Sequence, residues 1–87
     1  MDSDAVWRRI VMHSGDTFYQ MRGKPFTYTA RGRTIYLETT NRMISRTAIE
    51  KALGRVPLIN TAAVSDLSAP SYIYGILMDE RVRGRDW

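Results

Sequence analysis

The spacing of apolar positions along this chain changes twice. Near the start, Val6, Trp7, Ile10 and Val11 recur at helical intervals, with Arg8 and Arg9 on the other side. The spacing predicts a helix over 4–13, capped by Ser3 or Asp4 and ended by Ser14-Gly15-Asp16, with a strand through residues 9–12 as the competing reading. From Thr17 the period falls to two. Residues 17–21, 26–30 and 33–38 read as three short strands, separated by the turn Arg22-Gly23-Lys24-Pro25 and by the tight connection Arg31-Gly32. Phe26, Tyr28 and Ala30 share one face of their strand, with Thr27 and Thr29 on the other. Ile35 and Leu37 likewise oppose Tyr36. An antiparallel meander with one apolar face must be covered by helices.

The helical period returns after a polar loop at 39–43. Ser45 is placed as an N-cap, Ile44 and Ile49 as a hydrophobic staple, and Ala48, Ile49, Ala52 and Leu53 as a buried stripe that Gly54 and Pro57 bring to an end. Residues 56–67 leave strand and helical turn undecided. A last helix carries Pro70 in its first turn, Ser68 or Ser71 as its cap, and Tyr72, Ile73, Ile76 and Leu77 as its apolar stripe. Residues 79–87 read as a charged, frayed tail. The fold class is therefore α+β: an N-terminal helix, a three-stranded antiparallel β-meander and two C-terminal helices packed on one face of the sheet. The whole span 1–87 forms a single domain.

Composition narrows the setting. The chain has no cysteine, which excludes thiolate zinc sites and points to a reducing, cytoplasmic compartment rather than a disulfide-stapled secreted domain. Its first residues are acidic and lead into no apolar run of signal-peptide or membrane-spanning length. The hydrophobic share of 44% is that of a chain able to bury a core, so disorder is excluded.

Charge adds location. The net +4 comes from eleven arginines and two lysines against nine acids. Between Arg22 and Arg55 eight basic residues face only Glu38 and Glu50, so this window carries +6 and the flanks −2. Arginine's planar fork of donors suits phosphate and carboxylate, although arginine-rich codon usage is a competing explanation for the excess.

The sequence offers little catalytic chemistry. The one histidine, His13, is followed by Ser14 and Asp16, but a triad converges from separate elements rather than from one short stretch. No nucleophile elbow and no phosphate-cradling glycine loop occurs, and no set of acids has metal-ligand spacing. No cofactor is expected. Metal-free cleavage of RNA, as in small toxin-type ribonucleases, is the surviving enzyme class, with Lys24, Arg33, Tyr36, Glu38 and Arg42 as its candidates.

Binding is the leading expectation: a small basic nucleic-acid-binding (DNA or RNA) accessory domain that contacts mainly the phosphate backbone. Arg42 and Ser45 lead into a helix whose first turn holds Arg46 and no acid, so an anion there would neutralise both cation and helix dipole. Lys51 and Arg55 continue that helix face, and Arg31 and Arg33 flank the hairpin connection. Tyr19, Tyr28 and Tyr36 all fall on the meander, with Tyr36 opposite Ile35 and Leu37; such tyrosines among arginines would stack unpaired bases, with ordinary strand packing as the competing reading. The alternative is a protein-interaction module, possible as a homodimer, that binds an acidic partner. No membrane contact is expected.

Overall fold

The computed structural model describes residues 2–87; Met1, the first residue of the expected domain, lies outside them. Helix α1 spans Ser3–Met12 and buries Val6, Trp7 and Ile10. Its cap is Asp2, whose side chain accepts from Asp4 N at 2.9 Å, one residue before the expected position. Val11 sits at the margin of the apolar stripe and is exposed.

The residues that follow build two antiparallel sheets. Strands β1 (Phe18–Tyr19) and β2 (Pro25–Phe26) form a ribbon in which Phe18 faces Phe26. Strands β3 (Tyr28–Arg31), β4 (Thr34–Leu37) and β5 (Met43–Ser45) form a three-stranded meander in that order. The meander expected from the sequence is present, with different membership. Residues 17–21 pair only with β2, and the third strand is β5, which begins in the expected loop. The expected strand at 26–30 changes partner at Thr27. Before it, the chain pairs with β1; from Tyr28 onward it pairs with β4, and Thr27 O accepts from Glu38 N at 3.1 Å. Three residues suffice for β5 because Ile44 pairs with Ile35 and both are fully buried.

Helix α2 (Arg46–Leu53) follows β5 directly. Ser45 is its cap and accepts from Ala48 N at 3.1 Å. Ile49, Ala52 and Leu53 form its buried face. The undecided segment becomes a 3-10 turn at Thr61–Val64, capped by Asn60, with Leu58 and Val64 buried. A single such turn has neither a two-residue nor a 3.6-residue period to detect. Helix α3 (Pro70–Leu77) buries Ile73, Ile76 and Leu77. Neither expected serine caps it. Ala69 takes the cap position in the left-handed region at φ 55°, and Ser68 Oγ instead donates to Met43 O at 3.2 Å.

The expected frayed tail is folded. Asp79 caps a short helix α4 (Glu80–Arg83), and Val82 is fully buried. Trp87 Nε1 donates to Leu77 O at 2.8 Å, and Arg9 reaches from α1 to Val82 O at 3.0 Å and Asp86 at 2.6 Å. Arg81 lies over the Phe18 ring, 4.0 Å from its centroid, and donates to Thr17 O at 2.7 Å. The charges that suggest a solvated tail are tethers to the rest of the domain.

Helices α1 and α2 pack against the meander, α3 packs on the ribbon and α4 on α1 and α3; the meander's inner face contributes Tyr28, Ile35, Leu37 and Ile44 to the core. Phe18 packs 5.2 Å from Tyr28 and 6.1 Å from Phe26, and Tyr72 of α3 meets Phe26 edge-on at 5.0 Å. Outer edges of the meander are occupied. Ala30 N donates to Ser14 Oγ at 2.9 Å, and Tyr28 O accepts from Gly15 N at 2.8 Å, with Gly15 at φ 91°. On the far edge, Met43 O is held by Ser68.

Helix α3 approaches the ribbon at Gly75. A Cβ there would stand 2.5 Å from Tyr19 O and 2.9 Å from Phe26. Alanine improves helix propensity by about 1 kcal/mol, but here it meets backbone, which cannot swing aside. Gly75→Ala is expected to destabilise the domain by about 1–2 kcal/mol net and to lower Tm by roughly 5–15 °C. Thermal unfolding followed by circular dichroism checks this; an unchanged or raised Tm would show that α3 is free to shift away from the ribbon.

Candidate nucleic-acid interface

The outer face of the meander is bare. Alternation along the strands sends Thr29 and Arg31 of β3, Thr34 and Tyr36 of β4, and Met43 and Ser45 of β5 away from the helices. Register places Tyr36 between Thr29 on one side and Met43 on the other. Tyr36 and Met43 are both exposed, and the Arg31 guanidinium carbon lies 5.1 Å from the Tyr36 ring centroid. An aromatic ring thus carries a cation on an open surface, an arrangement that favours flat, electron-rich or anionic ligands.

The expected basic residues divide by their partners. Arg46 is spent internally. It stacks on Trp7, 5.6 Å from the ring centroid, and bonds to Asp4 of α1. Its Nε is 3.4 Å from Glu50 Oε2, an ion-pair distance without hydrogen-bond geometry. The missing acid in the first turn of α2 is supplied by α1 rather than by a ligand. Arg55 is held equally firmly by Asp66, at 2.5 and 3.0 Å, and by Ala63 O at 3.1 Å. The hydrogen bond from Arg55 holds the Asp66 carboxyl below the usual carboxylate range. Arg33 is loosely paired, 4.0 Å from Glu50 and 64% exposed.

Three candidates remain open. Among the described residues, no carboxylate comes within ion-pair distance of Arg31, Arg42 or Lys51. Arg31 lies on the bare face, Arg42 precedes Met43 at one end of it, and Lys51 is exposed on α2. Ser45 is engaged as the cap of α2. The basic residues therefore do not share one patch: Arg31 and Arg33 lie at the β3–β4 turn, Arg42 at the opposite end of β4, and Lys51 and Arg55 in and just beyond the last turn of α2. Arg22 and Lys24, which form no ion pair among the described residues, stand in the β1–β2 turn. They belong to the basic window but show no spacing that marks them as a site.

The remaining chemical candidates have structural roles. Ser14 Oγ accepts at the edge of β3, and His13 Nδ1 lies 2.9 Å from Asp16 Oδ2. Tyr28 is buried, its hydroxyl donates to Ile10 O at 2.5 Å, and burial pushes its phenol well above the ordinary value. Among the described residues no three His, Asp or Glu side chains gather to hold a metal, and no helix is long and apolar enough to cross a membrane.

No protein-family model matches the chain, nor does any curated protein or solved structure. The functional reading rests on the side chains just described.

The Asp79 carboxyl is held below the usual range chiefly by the Arg81 hydrogen bonds. A depressed carboxyl stabilises the fold above its unfolded value of about 4 and loses that contribution as pH falls through the lower folded value. Asn caps helices as well as Asp does, so Asp79→Asn removes the charge and keeps the cap. The variant is expected to melt below the parent at pH 7, with the gap narrowing as pH falls below the unfolded carboxyl value of about 4. A gap that stays constant across a pH series of melting curves would show that the charge contributes nothing.

Proposed function

We propose that this chain is a small nucleic-acid-binding accessory domain that engages mainly the phosphate backbone. Its main contact surface is the bare face of its three-stranded sheet, with Arg42 at one end of that face and Lys51 on α2 as a separate contact. The observation that carries this reading is the Arg31–Tyr36 pair, a cation lying over an aromatic ring on a surface no helix covers. Arg31, Arg42 and Lys51 contact phosphates, since no carboxylate among the described residues forms an ion pair with them, and the loosely held Arg33 joins them. Tyr36 supplies a stacking surface beside the cations, which favours single strands, whose bases are free to lie on it. Arg46 and Arg55 belong to the fold rather than to the contact.

Anisotropy titrations of labelled single strands and duplexes across a salt series test the proposal. Affinity for a single strand is expected to fall linearly on a log–log plot, with a slope of about 0.7 per neutralised phosphate. Arg31→Ala, Arg42→Ala and Lys51→Ala each reduce that slope by roughly this amount. Tyr36→Ala weakens binding about tenfold with the slope unchanged, since stacking releases no counterions. Arg55→Gln leaves the slope as it is. Absence of binding at low salt to DNA and RNA, single- and double-stranded, overturns the reading.

A further inference from the structure

The turn between β1 and β2 and the segment around Asn60 line an open cavity of about 500 Å3, a size typical of small-ligand sites. It lies off the sheet face, and its side chains divide by chemistry. Arg22 and Lys24 are cationic and exposed, and among the described residues no carboxylate pairs with either. None of the described lining residues is acidic. Thr61 and Ser71 add hydroxyls. Asn60 and Gln20 add amides. Asn60 Oδ1 already accepts from Ala62 N at 2.9 Å, so the group Asn60 has left to offer is its NH2. Met21, a large apolar side chain 47% exposed to solvent, completes the lining with a polarizable thioether.

Each part of this lining has a use in one kind of ligand. Two unpaired cations with hydroxyls suit a phosphate dianion. A thioether suits the face of a flat heterocycle. Two amides suit its hydrogen-bonding edge. Inorganic phosphate would leave the thioether, the amides and most of the volume unused, and an acyl phosphate would have no partner for the amides. We infer that this cavity takes a nucleoside phosphate, its phosphate on Arg22 and Lys24 and its base against Met21, Gln20 and Asn60. The group is presented either by a free mononucleotide or by the phosphorylated 5′ end of a strand. The inference uses none of the residues assigned to the sheet face and stands or falls separately from it.

Amide chemical shifts of the 15N-labelled chain, followed during titration, provide the test. The probes are adenosine 5′-monophosphate, inorganic phosphate, and a short single strand with and without a 5′-phosphate. Adenosine monophosphate is expected to shift the amides of residues 20–24 and 60–62. Arg22→Gln and Lys24→Gln, both at exposed turn positions, each weaken it about tenfold, the usual loss for a charge-assisted hydrogen bond. A strand that binds tenfold more tightly with its 5′-phosphate identifies the strand end as the source; indifference to that group, with the mononucleotide bound, identifies the free nucleotide. Tyr36→Ala leaves the mononucleotide titration unchanged even where it weakens strand binding. Two results overturn the inference. One is the absence of shifts at these amides with millimolar mononucleotide and with the 5′-phosphorylated strand. The other is inorganic phosphate binding as tightly as the mononucleotide, which would mean an anion site that does not recognise the nucleoside.

Discussion

Tyr28 is the residue on which the packing converges. A fully buried phenol must place its hydroxyl on an acceptor or lose the free energy of a dehydrated polar group, about 1–3 kcal/mol. Here the acceptor is Ile10 O near the end of α1, so the position of the helix against the sheet is set by a bond rather than by grease alone. The same residue passes its carbonyl to Gly15, lays its ring against Phe18 and begins the pairing with β4. Helix, ribbon and meander are thereby referred to one point. Phe26 carries the arrangement onward to Tyr72, and Gly75 lets α3 come close enough for that contact.

The electrostatics follow from how the helices are held. Acids near the two ends of the chain take three of the arginines: Asp4 pairs with Arg46, Asp86 with Arg9, Asp79 with Arg81. These pairs span long stretches of sequence or lock the last helix in place. Exposed ion pairs contribute little singly, usually under about 1 kcal/mol, but they decide which cations stay available. The excess positive charge is left to residues that have no structural task, in the turns, on the bare sheet and along the outside of α2.

Elements with a strong period were legible in the sequence, and those defined by a partner were not. The helix at 46–53 is legible because cap and apolar stripe agree: Ser45 caps it, and Ile49, Ala52 and Leu53 are buried. Strand β5 was hidden because three residues cannot show alternation, and the switch of partner at Thr27 leaves no mark in composition. The tail read as frayed because Val82 and Trp87 are isolated among charges, and only the folded chain shows that Arg9 and Arg81 reach across to them. The basic window was legible as a count. Its division into spent and open cations was not, since Asp4 and Asp66 lie outside the window that suggested the site. The cavity beside Arg22 joins segments some forty residues apart, a relation that no local spacing encodes.

Two serines give the sheet a property apart from binding. Ser14 and Ser68 occupy hydrogen-bonding groups on opposite margins of the meander that would otherwise face water unpaired. A strand from another molecule would have to displace these hydroxyls before it could extend the ladder. The sheet therefore leaves a face open, with a tyrosine and a methionine on it, while each margin that strand addition would use already has a group engaged.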